Sequence, residues 1–484
     1  MNVNRKHWKR HSPTLARLGA CVISAVALAA CGQAEKSSSL GGSAAPEALV
    51  FVGDSANGMV AVISHGDEGN EVLDSIPVGS SSIGDISISS EGHVFANVTA
   101  NNQVAAIDPV VDGEPVLKNF LPVGTRPVHA GRDPVDGTLI WVLNDGLASS
   151  GTCLTAGPGG SATSSVTVIQ NHEVGGGSGG GGGQTTLGVI LEEVCVGVGH
   201  HKVTFSYPSP DHPTMPRRAF VSNISEGTIS VISADPAAAD FGTVVAIIDL
   251  CDPARAACDS DVTTPNFAIP HGIDYSPVSG MVYNSNVAYG TVSVIDAEAG
   301  MLFDVDDSTP EVDPIDVGFS GKAHVTPDGS FLLVQGVDTT SDAAHVIGKM
   351  TVVDVSDHSF QTVDLPDVSP DSFELSSDGT QLYVATASSF DNAVQQGNLK
   401  NDVLLAFDTS ALPALGAPIE VPVGTASEEH RSLAIQEHDG VAAHVWVPNP
   451  DDGTVSVVDA ETNTVVDELE VGGEPSSIAV LVLE

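Results

Sequence analysis

A seven-residue unit recurs along this chain, and the repeat constrains the fold more than any other feature of the sequence. Its clearest copies are Gly453-Thr-Val-Ser-Val-Val-Asp459, Gly290-Thr-Val-Ser-Val-Ile-Asp296 and Gly227-Thr-Ile-Ser-Val-Ile-Ser233. Five looser copies begin at Gly58, Gln103, Ser165, Lys349 and Asp402. Each copy alternates β-branched residues with small ones, which is typical of a strand whose two faces meet different surroundings. Eight copies predict eight similar structural units.

Each unit carries further strand and turn signals around this core. An apolar strand precedes the copy, for example at Ala48–Val52 and His444–Val447, and most copies are followed by a strand ending in a turn such as Pro422-Val-Gly424. A short strand then closes in a turn such as Pro327-Asp-Gly329. A four-stranded antiparallel sheet of this kind cannot bury both faces alone, whereas sheets packed around a common axis can. The sequence therefore predicts an all-β, eight-bladed β-propeller.

The two ends of the chain predict how the ring closes. The strand at Ala48 has the pattern of a second strand with no first strand ahead of it. Pro475–Val480 has the pattern of a first strand with no successors. We therefore expect these N- and C-terminal strands to pair and to complete one blade.

The repeats resemble the YVTN-repeat propeller family over nearly all of residues 48–484. The resemblance rests on Gly-Thr-Val-Ser-Val-Ile-Asp followed by Val-Gly-x-x-Pro. Members of that family often have seven blades, so the resemblance leaves seven as the alternative count. Cell-surface proteins, lactonases and haem-containing nitrite reductases carry related propellers. The resemblance therefore implies a fold and several functions.

The first 47 residues are expected to direct export. Residues 1–17 carry five Lys or Arg and no acidic residue, and residues 18–30 form an apolar run too short to span a membrane. Leu28-Ala-Ala-Cys31 resembles a bacterial lipobox, which implies that Cys31 is diacylated; an ordinary signal peptide is the alternative. We predict a signal peptide over 1–30, a lipidated cysteine and tether over 31–47, and the propeller over 48–484. Gly32 favours anchoring to the outer membrane, facing the periplasm or the surface.

The charge of the mature chain excludes one class of partner. Loss of the signal peptide removes five of the 17 Lys and Arg and none of the 62 acidic residues, which leaves a formal charge of −50. Such a surface repels nucleic acid and anionic lipid headgroups. Cations and basic proteins are the better partners, and adaptation to a salty environment is the alternative explanation.

Four cysteines remain in the predicted propeller: Cys153, Cys195, Cys251 and Cys258. An even number in an exported protein predicts two disulfides. Cys251 and Cys258 enclose a short loop and are expected to pair, which leaves Cys153 to pair with Cys195. Their spacing matches neither a zinc site nor a c-type haem attachment motif.

Histidines recur where several of the predicted blades begin, in the loop that leads into the innermost strand beside the central channel. This window holds His129, His200, His201, His271 and His430, and His324 lies about three residues further along its strand. Converging neutral imidazoles suit copper, zinc or iron, and Asp371 occupies the position equivalent to His271. Capping of strands or hydrogen bonding between blades is the alternative role. The histidines predicted to be ordinary surface or turn residues are His65, His93, His172, His345, His358, His438 and His444.

The predicted function is an exported, lipid-anchored binding protein with a metal ion at the channel mouth and no assigned catalytic residue. The alternatives are an oxidoreductase with a metal or haem cofactor in the channel, and an interaction scaffold for a partner protein without any ligand. The Gly-x-Ser-x-Gly pattern occurs only within the glycine-rich run 175–183, which is predicted to be a surface loop and not a nucleophile elbow, and this disfavours hydrolases of that type. The acidic residues 304–313 are predicted to form a solvated loop, and Trp141 and Trp446 to lie in the core.

Overall fold

The computed structural model describes residues 46–483, except for residue 80 and residues 110–114, 176–184, 259–261, 263, 307, 309–310, 388–391 and 428–429. The predicted signal peptide, Cys31 and most of the predicted tether lie outside the described residues, as does most of the glycine-rich insertion. The described residues belong to one compact unit. None of the helices found in them is long and apolar enough to cross a bilayer.

The described residues form 33 strands and very little helix. The first seventeen strands are β1 (Ala48–Asp54), β2 (Met59–Gly66), β3 (Gly69–Pro77), β4 (Ile83–Ile88), β5 (Val94–Val98), β6 (Gln103–Asp108), β7 (Val116–Pro122), β8 (Pro127–Arg132), β9 (Leu139–Asn144), β10 (Ser164–Val174), β11 (Thr186–Val196), β12 (Val203–Ser206), β13 (Arg218–Asn223), β14 (Thr228–Ser233), β15 (Val244–Asp249), β16 (Pro270–Ser276) and β17 (Met281–Asn286). The others are β18 (Thr291–Asp296), β19 (Met301–Phe303), β20 (Ile315–Asp316), β21 (Ala323–Val325), β22 (Phe331–Asp338), β23 (Ile347–Asp354), β24 (Phe360–Pro366), β25 (Pro370–Leu375), β26 (Gln381–Thr386), β27 (Val403–Asp408), β28 (Ile419–Pro422), β29 (Ala434–His438), β30 (Val441–Asn449), β31 (Thr454–Asp459), β32 (Thr464–Glu470) and β33 (Pro475–Val482). The helices are α1 (Ala393–Asn398) and three 3-10 turns at Thr99–Asn101, Thr152–Thr155 and Pro158–Gly160.

The strands form eight antiparallel sheets, which are the blades of the predicted propeller. Blade 1 contains β33, β1, β2 and β3, and blades 2 to 4 contain β4–β7, β8–β11 and β12–β15. Blade 5 contains β16–β19 with β20 beside β18, and blades 6 to 8 contain β21–β24, β25–β28 and β29–β32. The all-β, eight-bladed prediction is confirmed, and the seven-bladed alternative is wrong.

The two ends of the chain close the ring as predicted. Strand β33 pairs with β1 along its length, with Phe51 opposite Ala479 and Val50 opposite Val480. The C-terminal strand is therefore the innermost strand of blade 1, and the N-terminal strand is the second. Every residue of β1 is buried, because it lies between two strands and between two neighbouring blades.

Hydrogen bonds explain the composition of the seven-residue repeat. The second strand of blade 8 ends in Asn449, whose Nδ2 donates to Thr454 Oγ1 and Ser456 Oγ, both at 2.9 Å. Asn144, Asn223 and Asn286 make the equivalent pairs of hydrogen bonds in blades 3, 4 and 5. In the repeat, apolar core residues thus alternate with Thr and Ser, whose hydroxyl oxygens accept the hydrogen bonds that a buried asparagine must make.

The hydrophobic core lies between adjacent blades. Trp446 of blade 8 packs in one cluster with Val50 and Val52 of blade 1. Trp141 of blade 3 contacts Phe205 of blade 4 with ring centroids 5.6 Å apart. Both tryptophans are fully buried, as predicted.

Two disulfides support the insertions. Cys153 pairs with Cys195 and Cys251 pairs with Cys258, as predicted. The first bond ties a 3-10 turn between β9 and β10 to the outermost strand of blade 3.

Candidate functional site

Four of the six predicted histidines meet at one mouth of the channel. The ring of His200 lies 4.5 Å from that of His129, 5.3 Å from that of His271 and 5.7 Å from that of His430, measured between centroids. These side chains come from blades 3, 4, 5 and 8. The propeller brings them together because the innermost strands begin at the same end of the channel.

The imidazoles of His129 and His200 face each other, with their Nε2 atoms 2.9 Å apart. Each Nδ1 atom is held by a carboxylate. His129 Nδ1 is 2.9 Å from Asp85 Oδ2, and His200 Nδ1 is 2.7 Å from Asp145 Oδ2. An ionised carboxylate only accepts hydrogen bonds, so each Nδ1 carries a proton, and a ring that is neutral then has an unprotonated Nε2 facing the other ring.

The site keeps His129 neutral. Burial, reinforced by the nearby Lys202 ammonium, lowers the pKa of His129 to about 3. Burial raises the pKa of Asp145, but hydrogen bonds from His200 and His201 outweigh it and bring this pKa to about 2. At neutral pH the site therefore contains an ionised carboxylate and an imidazole that resists protonation.

His271 and His430 border this pair. The His271 ring is stacked on His200, with 15° between the ring planes. Burial lowers the pKa of both rings, and the Lys322 ammonium helps to bring the pKa of His430 to about 4. His430 has a backbone φ of 77°, in the left-handed region that a non-glycine residue adopts only at a cost, as is found at functional sites.

His201 does not join the group. His201 packs instead against the residues that follow β9 and β11 of blade 3. It is fully buried, with Nδ1 3.0 Å from Asp145 Oδ1 and Nε2 2.9 Å from the Gly197 carbonyl oxygen. Both ring nitrogens are therefore occupied by structural hydrogen bonds.

His324 and Asp371 lie apart from the paired imidazoles. His324 lies deeper in the channel, where its ring packs against Phe373 at 4.9 Å and its Nδ1 is 3.8 Å from Asp274 Oδ2. Asp371 accepts from Lys322 Nζ at 2.9 Å and from the Arg431 N–H at 2.6 Å. The Asp371 carboxylate thus fixes the positions of the Lys322 ammonium and the Arg431 backbone.

Sequence reasoning missed the charged residues around the histidines. Asp85 and Asp145 orient the two facing imidazoles, and Lys202 and Lys322 bring positive charge into the channel. Lys202 Nζ lies 3.0 Å from His129 Nδ1. Both lysines fall in or beside the window in which the histidines recur, so a search of that window for all charged residues would have found them.

The channel widens into two connected chambers. The outer chamber, of about 910 Å³, is lined by His129, His200 and His430. The inner chamber, of about 310 Å³, lies on the side of His324 and Glu374. Lys202 and Lys322 line both chambers and therefore lie between them.

Among the described residues, a second group of possible metal ligands lies away from the channel, at the junction of blades 2 and 3. Ligand atoms of His93, Asp108 and Glu173 are there within 4.8 Å of one another. Lys118 Nζ already lies 2.8 Å from Asp108 Oδ2 and supplies a cation to this cluster. The channel imidazoles approach closely as a pair, so a third ligand would have to move towards a bound ion.

No protein-family model and no curated protein matches the chain. Several solved structures are similar to it. Apo AztD from Citrobacter koseri has a TM-score of 0.52 at 15% identity, over 90% of this chain and 98% of that one. Dihydro-haem d1 dehydrogenase NirN in complex with DHE has a TM-score of 0.54 at 13% identity, over 90% and 75%. The periplasmic gluconolactonase PpgL from Pseudomonas aeruginosa has a TM-score of 0.50 at 17% identity, over 90% and 99%. At these identities the likeness supports the fold alone.

Proposed function

We propose that this chain is an exported, lipid-anchored propeller that binds one transition-metal ion at the channel mouth. His129 and His200 supply the first two ligands, and His271 and His430 are the candidates for completing the set. The observation that carries the proposal is the pair of Nε2 atoms 2.9 Å apart, with both Nδ1 atoms held by carboxylates. Two unprotonated nitrogens at this distance repel each other unless a proton or a metal ion lies between them, and a metal ion would take both as ligands.

The arrangement has the second shell of a metal site. Histidine ligands commonly donate their other ring N–H to a carboxylate, which fixes the tautomer and the ring orientation. Asp85 and Asp145 do this here. A tetrahedral ion with metal–nitrogen bonds of 2.0–2.1 Å separates its ligand nitrogens by about 3.3 Å, so the two rings need to part only slightly.

The net charge of the chain, rather than the lining of the chamber, favours a cation. The outer chamber is lined by Asp85, Asp451 and Glu474 and also by Arg126, Lys202 and Lys322. The predicted mature chain, however, has a formal charge of −50, and a net charge of this sign raises the concentration of cations around the protein. Imidazole ligands without thiolates suit zinc, copper or iron.

The oxidoreductase alternative requires a haem or a redox metal in the same place. A haem held between two imidazoles would need their nitrogens on opposite faces of the iron, about 4 Å apart at ordinary metal–nitrogen distances. His129 and His200 are closer than that and face each other directly. The residues therefore fit a bare ion better than a macrocycle.

The proposed anchor depends on Cys31 and its lipobox-like surroundings. Acylation through this cysteine would hold the propeller at the outer membrane by a tether of about fifteen residues. Mass spectrometry of the N-terminal peptide after membrane extraction checks the lipid.

Metal content tests the proposed site. Protein purified from its native host should carry one ion of copper, zinc or iron per chain. H129N and H200N should lose it, and D85N should weaken binding by about 10–100-fold, because the second shell supports the ligand. H172N is the matched control, since His172 is exposed and distant in sequence from these ligands. Equal metal content in all four variants, or none in the native protein, would contradict the proposal, and a visible haem spectrum would favour the alternative.

A further inference from the structure

Lys202 and Glu374 both line the inner chamber of the channel, from blades 4 and 7, and form no ion pair with each other. Asp85 and Lys322 line the same chamber. Lys202 is half-buried and Glu374 is exposed to the chamber, so a ligand that enters the chamber can reach both side chains.

The ammonium of Lys202 is poorly satisfied by the protein. Its Nζ lies 3.0 Å from His129 Nδ1, but this nitrogen carries the proton donated to Asp85 and cannot also accept a hydrogen bond from Lys202. The nearby Asp85 carboxylate attracts the ammonium electrostatically. An ammonium has three N–H donors. Lys322 differs, because its ammonium donates to Asp371 at 2.9 Å and to Ser372 Oγ at 2.8 Å. Lys202 is thus the cation available to a ligand.

The carboxyl group of Glu374 lies one layer deeper. Glu374 follows Ser372 by two residues in β25, so its side chain points to the same face about 6.6 Å further along the strand. In the part of the chain that the structure describes, it has neither a hydrogen bond nor an ion pair. Its neighbour in this layer is His324, whose side chain is 45% exposed to the channel.

Apolar residues complete the lining of the chamber. Ile86, Ile273, Phe373 and Ile478 are buried residues on its wall. Its volume of about 310 Å³ lies at the lower end of the range for ligand pockets. The chamber therefore combines an ammonium, a carboxyl group and an apolar wall at the scale of a small molecule.

We propose that the inner chamber binds a small zwitterion of the amino-acid class, with its carboxylate on Lys202 and its ammonium on Glu374. Such a ligand satisfies both charges without adding net charge to the interior. A ligand with only a carboxylate would place its apolar end against Glu374. A ligand with only an amine would place its apolar end against Lys202. The site needs no metal at the channel mouth, so it goes beyond the function proposed above.

Titration calorimetry on the metal-free full chain tests this inference. The probes are 4-aminobutyrate and 5-aminopentanoate, compared with butyrate and butylamine. At least one zwitterion should bind ten-fold or more tightly than either singly charged analogue. Binding of no probe, or equal binding of zwitterions and singly charged analogues, would overturn the proposal.

Two variants assign the ends of the ligand. E374Q keeps the size of the side chain and should abolish the preference for the zwitterion over butyrate, whereas K202M should remove binding of both. H172N, the exposed control, should bind as the unmodified chain does. E374Q should also retain the metal at His129 and His200, so failure of the zwitterion site and failure of the metal site are separate results. An unchanged zwitterion preference in E374Q would refute the assignment.

Discussion

Arg431 is predicted to hold blades 7 and 8 together at the channel mouth, and its replacement by methionine tests this directly. The side chain is fully buried. Its guanidinium donates to five acceptors: the carbonyl oxygens of Thr386, Asn401, Gly424 and Pro448, and Oδ1 of Asn449. Burial lowers its pKa to about 10, which still leaves it charged at neutral pH.

The magnitude follows from the acceptors that R431M would leave without a donor. Each buried acceptor left unpaired costs about 1–3 kcal/mol. Removing the buried charge recovers part of this cost, so we expect the free energy of unfolding to fall by about 3–5 kcal/mol. Water entering from the nearby mouth would bring the loss towards the lower value.

Urea unfolding followed by tryptophan fluorescence measures the effect, because Trp446 lies in blade 8 and Trp141 in blade 3. R132M is the matched control, since Arg132 is exposed and makes one long hydrogen bond, of 3.4 Å, to the Ile88 carbonyl. Its replacement should change the stability by less than about 0.5 kcal/mol. The reasoning is refuted if R431M unfolds within 1 kcal/mol of R132M.

Two further predictions concern the site and the fold. The rings of His129 and His430 should stay neutral between pH 7 and pH 5, because their pKa values of about 3 and about 4 lie below that range. An NMR titration of the histidine rings in the metal-free chain checks this; imidazoles with the ordinary pKa of about 6.5 would be almost fully protonated at pH 5, and that result would contradict the prediction. G290A should destabilise the fold by at least about 1 kcal/mol more than G453A in thermal unfolding. Both glycines have a positive φ, but an added Cβ would lie 2.1 Å from the Gly318 carbonyl oxygen at residue 290, whereas at residue 453 its nearest neighbouring atoms would be 3.4 Å away. Equal losses of stability would refute this explanation.

Much of the fold was predictable because the residues of the repeat reflect the local backbone conformation of turns and strands. Gly290 and Gly453 mark turns that need a positive φ, and the alternation after them marks a strand. The closure of the ring was predictable from the unmatched strands at the two ends. The role of the buried asparagines, such as Asn449, was not predictable, because it lies in hydrogen bonds to the following strand. Each asparagine stands just after an apolar run, and it is the apolar run that predicts the strand.

The candidate site was only partly predictable, for a different reason. The recurrence of histidines indicated His129 and His200, but it did not separate His200 from His201. Asp85 is 44 residues from His129, and Asp145 is 55 residues from His200. In a chain with 62 acidic residues, nothing local distinguishes these two carboxylates. Their role depends on which blades become neighbours.

Location of a bound ion tests the central claim most directly. Crystals of the full chain loaded with zinc or copper should show an anomalous peak at the channel mouth, about 2.0–2.2 Å from the Nε2 atoms of both His129 and His200. A peak at His93, Asp108 and Glu173 with an empty channel, or no peak at all, would contradict the account.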